Sequence, residues 1–168
     1  NPLVENGLTI NKSIVNHPLF TEGFITIQDI SSQMVSEITN PEPNSLILDL
    51  CSAPGGKAAH LAALMNNTGT IFACDVYPHK IKLMEQTFER LGVNNVKTQL
   101  IDARNVANKV KKESFDYLIA DVPCSGLGVL SHKVDLKYQI TLKAIEEVEY
   151  LQEEILEKSY QLLKRGGY

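Results

Sequence analysis

Residues Leu46 to Lys57, Leu-Ile-Leu-Asp-Leu-Cys-Ser-Ala-Pro-Gly-Gly-Lys, restrict the fold more than any other stretch of this chain. The apolar residues around Asp49 form a short buried strand, and Pro54-Gly55-Gly56 break it. Lys57-Ala-Ala-His-Leu-Ala-Ala-Leu-Met then opens a helix of high alanine and leucine propensity. Glycines at such a turn let a ligand approach backbone amides, and the helix N-terminus behind them favours an anionic group. The stretch is not a P-loop, which would need Gly in place of Cys51 and Ser or Thr in place of Ala58. Nor does it match G-x-G-x-x-G.

The same alternation recurs downstream. Thr70–Asp75 reads as a second strand, and Pro78 begins a helix that runs to Arg90 and closes at Leu91-Gly92. A third strand covers Val96–Ile101 and ends at Asp102. A short helical piece spans about Asn105–Val110, and a fourth strand spans Phe115–Asp121. From about Ile140 to Leu163, apolar residues recur at helical spacing. Upstream, Gly23–Gln28 reads as a strand, and Asp29 or Ser31 caps a helix through about Ile38. Residues 1–22 read as a linker or N-terminal appendage, with Leu8–Ile10 and Ser13–Val15 as short β-favouring pieces. This order predicts an α/β fold with a doubly wound, mainly parallel sheet, whose ligands bind at the carboxyl ends of its strands.

Four acids sit in or at those strands: Asp49 within the first, and Asp75, Asp102 and Asp121 closing the next three. Any one alone is ordinarily a cap or turn residue, but four in the same relative position mark a ligand edge. Asp75 lies about 20 residues beyond the glycine turn, where an acid accepts both hydroxyls of a ribose, which suits an adenosine-containing ligand. After the fourth strand, Asp121-Val-Pro-Cys-Ser-Gly-Leu-Gly presents Cys124 in a Pro/Gly loop at that edge, as a nucleophile or proton-handling thiol. Cys74, inside an apolar strand, and Cys51 read as small gap-fillers.

Composition sets bounds on partners. The 168 residues are 43% hydrophobic with a net charge of −4, which argues against a large basic nucleic-acid surface. Three scattered cysteines indicate neither a metal site nor a disulfide framework. No apolar run approaches the ~20 residues that cross a bilayer, so a cytoplasmic location and no membrane partner are expected.

The stretch Asp49-Leu-Cys-Ser-Ala-Pro-Gly-Gly-Lys57, the loop Asp121-Val-Pro-Cys-Ser-Gly126 and Asp102-Ala-Arg104 between them closely resemble the RNA (cytosine-5)-methyltransferases of the NOL1/NOP2/Sun family. The greatest similarity is to its bacterial 16S ribosomal RNA m5C methyltransferase B branch. The lead-in Gly23–Gln33 is also similar. The resemblance implies the Rossmann-like sheet of the S-adenosylmethionine-dependent methyltransferases, with residues 23–168 as part of the catalytic domain. It further implies that Cys51, Ser52, Ala53, Pro54, Gly55, Gly56 and Lys57 hold the methionine portion of S-adenosylmethionine. Asp75 would take the ribose hydroxyls and Asp102 the adenine, and Asp121 would lie near the sulfonium and target base. Ribosomal RNA would be the substrate, with tRNA as the alternative.

Two departures from the family carry consequences. Its catalysts use two cysteines: the Pro-Cys residue, matching Cys124, assists product release, and the nucleophile lies in a later Thr-Cys motif. No Thr-Cys pair occurs here, and the chain stops at Lys164-Arg-Gly-Gly-Tyr168. The expectation is a truncated catalytic domain, inactive alone, with the fourth strand left as an edge prone to association unless another segment covers it. The loop Ser131-His-Lys-Val-Asp135 replaces the family's usual His-Pro-Asp run; His132 and Lys133 either face RNA or are solvated. Competing readings are Cys124 as the nucleophile itself, or a non-catalytic nucleotide-binding module. Oligomeric state stays open.

Overall fold

The computed structural model describes Val4, residues 7–126, Gly128 and residues 141–168. Four strands, β1 (Leu46–Asp49), β2 (Thr70–Asp75), β3 (Val96–Leu100) and β4 (Tyr117–Ile119), form one sheet in the order β3-β2-β1-β4. All three pairings are parallel, and Ile47 sits between Ile71 and Tyr117. The helices are α1 (Pro18–Thr21), α2 (Ile30–Thr39), α3 (Gly56–Leu64), α4 (Pro78–Arg90) and α5 (Leu142–Ser159), with 3-10 turns at Ala103–Asn108 and Tyr160–Leu162.

Strand alternation sends neighbouring side chains to opposite faces, and each face has its own core. Ile47, Ile71 and Ala73 pack against α3 and α4 through Ala58, Leu61, Ala62, Met84 and Phe88. Three alanines among the buried residues of α3 let its backbone lie close to the sheet, directly behind the glycine turn. Leu48, Leu50 and Cys74 face the other way, onto Val106, Phe115, Ile155 and Leu162. There the Phe72 and Phe115 rings meet edge to face at 6.0 Å. Cys74 is thus the core filler that its strand position implied.

The sheet matches the expected order of elements, with differences at several ends. β3 stops at Leu100, the helical piece begins at Ala103, and β4 shrinks to three residues. The expected start of the last helix, Ile140, and the loop 131–135 lie outside the described residues. Residues 8–10 and 13–15 are not in strands.

Gly23–Gln28 joins no strand: Gly23 and Phe24 form a turn and bend, residues 25–28 pair with none of the four strands, and the segment is held elsewhere. It runs over α4, where Arg90 Nη1 donates to the carbonyls of Phe20 (2.6 Å) and Ile25 (3.3 Å). Arg90 Nη2 reaches Thr26 Oγ1 at 3.2 Å, and the guanidinium stacks 4.1 Å from the Phe20 ring. Gly23 has φ of +86°, and a Cβ there would lie 1.7 Å from the Arg90 carbonyl oxygen. Only glycine fits that crossing.

The free side of β4 is covered over Phe115–Leu118 by residues 162–168. Phe115 N donates to Leu162 O (3.0 Å), Lys164 N to Phe115 O (2.9 Å), Tyr168 N to Asp116 O (3.0 Å) and Leu118 N to Tyr168 O (2.9 Å). The condition attached to the exposed-edge expectation is therefore met by the chain's own last residues.

Arg90 joins the lead-in to the sheet domain by three side-chain hydrogen bonds and a ring contact. Arg90→Ala is expected to lower the local stability of residues 20–26 by ~2 kcal/mol. Amide exchange there should quicken more than tenfold while β1 and β2 amides keep their protection.

Candidate functional site

The turn after β1 is stitched to both neighbouring strands. Leu50 N donates to Ile119 O of β4 (3.0 Å), Ser52 N to Cys74 O of β2 (2.9 Å), and Gly55 N closes onto Ser52 O (2.8 Å). Gly55, at φ +96°, precedes α3 as its N-cap, and a Cβ there would press within 3.0 Å of the Phe88 ring. Its glycine requirement therefore comes from handedness and packing against α4, rather than from ligand approach. Gly56 is the glycine that faces the cleft.

That cleft, about 270 Å³, is lined by the turn residues Cys51, Ser52, Ala53, Pro54, Gly56 and Lys57, by the carboxylates Asp49, Asp121 and Asp29, and by Ile27, Gln28 and Ser32 of the lead-in and α2. Lys57 Nζ lies 2.6 Å from Asp121 Oδ2 and 3.2 Å from Ser32 Oγ. One ammonium thus ties the α3 terminus, the exit of β4 and the start of α2. A surface pair of this exposure contributes little stability, so its effect is positional.

Asp49 is 1% exposed, and neither of its carboxylate oxygens has a hydrogen-bond partner; the Ser52 hydroxyl is likewise buried and unpartnered. Burial pushes the Asp49 carboxyl from 3.8 up to about 6, countered only in part by the nearby Ser52 hydroxyl and the Lys57 ammonium. Buried polar atoms are nearly always satisfied, so an unpaired carboxylate on a cleft wall calls for a partner from outside the described residues. In the sequence Asp49 is one of four strand acids and opens the family-like stretch, but is assigned no ligand; Gln28 and Ser32 carry no signal there beyond membership of the lead-in.

The other expected residues sit outside this cleft. Asp75 is buried; its Oδ1 accepts from Tyr77 N (3.1 Å) and its Oδ2 lies 3.4 Å from Lys80 Nζ. Asp102 caps the following 3-10 turn through Arg104 N (2.9 Å) and is gripped by the Arg104 guanidinium, which holds its carboxyl below the ordinary value. Cys124 is exposed, and its loop is anchored to α5 where Gln152 Nε2 donates to Pro123 O at 2.8 Å. Desolvation, reinforced by nearby carboxylates, pushes the Cys51 and Cys74 thiols up to about 11 and 12, so both stay protonated near neutrality. Among the described residues no cluster of His, Cys, Asp and Glu could hold a metal ion, and no helix is long and apolar enough to cross a membrane.

Residues 36–168 match the family described as 16S rRNA methyltransferase RsmB/F. The chain belongs to this family. It is 36% identical over 166 residues to the probable ribosomal RNA small subunit methyltransferase B of Bacillus subtilis, covering 98% of this chain and 37% of that protein. It is 34% identical to the tRNA (cytosine(72)-C(5))-methyltransferase of Pyrococcus horikoshii, covering 88% of this chain and 37% of that protein. The crystal structure of NSun6 from Pyrococcus horikoshii with SFG superposes with a TM-score of 0.84 at 33% identity, covering 93% of this chain and 39% of that one. The chain therefore spans just over a third of the length of these relatives. Its sheet is the Rossmann-like sheet of S-adenosylmethionine-dependent methyltransferases.

Asp49 also makes stability depend on pH. Its folded pKa lies above the unfolded value, so the native state binds more protons between pH 3.8 and about 6, and stability falls as pH rises through that window. A shift of this size corresponds to a penalty of ~3 kcal/mol above pH 6. Asp49→Asn is expected to remove most of that decline; urea unfolding at pH 4.5 and 8 measures it.

Proposed function

We propose that this chain carries the S-adenosylmethionine site of an RNA cytosine-5 methyltransferase whose substrate is ribosomal RNA. The observation that carries this reading is the cleft beside α3: a buried, unpartnered carboxylate and the N-terminus of a helix face the same space. A group bearing both an ammonium and a carboxylate suits that pair, and the methionine portion of S-adenosylmethionine bears both. When bound, the cofactor supplies the methyl group.

The chain's own residues would divide the work. The turn from Cys51 to Lys57, with Gly56 open to the cleft, receives the methionine portion, and Asp49 takes its positive end. Asp75, at the end of the next strand, accepts from the ribose hydroxyls; its bonds to Tyr77 N and Lys80 hold the carboxylate in place. Asp102 lines the adenine side. Asp121, held by Lys57, faces the reacting end.

Cys124 stands exposed at the same edge of the sheet, where a thiol can help expel the methylated base. The nucleophile belongs to a Thr-Cys motif that these 168 residues do not contain. Ribosomal RNA is favoured over tRNA by the description of the matched family and by the slightly higher identity to the Bacillus subtilis relative. We place this activity in the cytoplasm.

Calorimetric titration tests the site directly. The chain should bind S-adenosylmethionine and its demethylated product but not NAD. Asp75→Asn, which keeps the acceptor for Tyr77 N, is expected to weaken binding by about tenfold or more. Equal affinity for NAD, or an unchanged affinity in the variant, would overturn the reading.

A further inference from the structure

The cofactor reading leaves the carboxylate end of the methionine portion without a named side chain. Lys57 is the lone cation among the described residues that line the cleft, and it is engaged by Asp121 at 2.6 Å and Ser32 at 3.2 Å. Its charge is already met, so the donor for an incoming carboxylate has to come from elsewhere.

The lead-in segment supplies one. Gln28 lines the cleft, and its Nε2 is buried without a hydrogen-bond partner. Its side chain lies beside the first residue of α3: a Cβ on Gly56 would fall 3.8 Å from Gln28 Cγ and 3.9 Å from Nε2. The residue is not loose. Its carbonyl accepts from Gln33 Nε2 at 2.9 Å, and the segment before it is bound to α4 by Arg90.

The cleft therefore holds an unmet donor next to the α3 N-terminus and an unmet acceptor, Asp49, at 1% exposure on its wall. An unmet donor takes an acceptor, and an unmet carboxylate takes a cation. A free α-amino acid group offers both on one carbon. The ribose and adenine, by contrast, belong to the ends of β2 and β3, at Asp75 and Asp102.

We propose that Gln28 is a ligand for the carboxylate of the cofactor's amino-acid end, paired with the α3 N-terminus, while Asp49 takes the ammonium. Gln28 precedes the matched residues 36–168, so the inference extends the site into the lead-in. It rests on the cofactor reading above and goes beyond it in naming what selects the amino-acid end.

The test compares S-adenosylmethionine with its decarboxylated analogue, titrated calorimetrically into the 168-residue chain, Gln28→Leu and Gln28→Glu. The unmodified chain should prefer the carboxylated ligand. Gln28→Leu should narrow that preference by about tenfold, the loss expected for one hydrogen bond to a charged group. Gln28→Glu keeps the shape of the side chain and sets carboxylate against carboxylate, so it should favour the decarboxylated ligand; a misfolded variant would lose both. An unchanged ratio in both variants overturns this inference and leaves the cofactor reading intact. Failure of the unmodified chain to bind either ligand overturns the cofactor reading, and the inference with it.

Discussion

Asp49 sets the terms for the rest of the site. It closes β1, an interior strand of a four-stranded sheet, and is 1% exposed on the wall of the cleft beside the β1–α3 turn. The nearby Ser52 hydroxyl and Lys57 ammonium offset that desolvation only in part. The hydrophobic faces of the sheet sustain the cost. In return, the fold keeps a carboxylate whose charge is available to a cation entering from the cleft.

The neighbouring features support that arrangement. Gly55 turns the chain into α3 close against Phe88, which aims the helix N-terminus at the cleft, and alanines on α3 let it sit tightly on the sheet. Lys57 is spent on Asp121 and Ser32, so it sets geometry across three elements rather than neutralising Asp49 outright. The lead-in, clamped to α4 by Arg90, forms the remaining wall. Positive and negative binding elements thus face each other across a few residues, which suits a zwitterionic ligand better than a simple anion.

Much of this was legible in the sequence, for local reasons. β2 and α4 fall where Thr70–Asp75 and Pro78–Arg90 place them, because apolar runs and Pro at a helix start are short-range signals. Gly23–Gln28 misled because β-favouring residues describe extended backbone, not the partner that completes a strand; Arg90, more than sixty residues away, took that segment instead. Gly55 was legible as a turn glycine, but its contact with Phe88 was not. Gln28 and Ser32 acquire meaning only when the lead-in folds over the α3 terminus, a long-range event that no spacing rule reports. The acids Asp75 and Asp102 were placed at strand ends as expected, though each also serves the backbone locally, through Tyr77 and Arg104.

The central claim, that the cleft holds an unmet carboxylate awaiting the cofactor's ammonium, is tested most directly by counting protons. Binding of S-adenosylmethionine at pH 6 should be measured by calorimetry in two buffers of different ionisation enthalpy. Because Asp49 titrates at about 6 in the free chain, an incoming cation should drive off about half a proton at that pH, where the ligand's own α-amino group is already fully protonated. Asp49→Asn should abolish the release. Binding at pH 6 with no proton released would contradict the account.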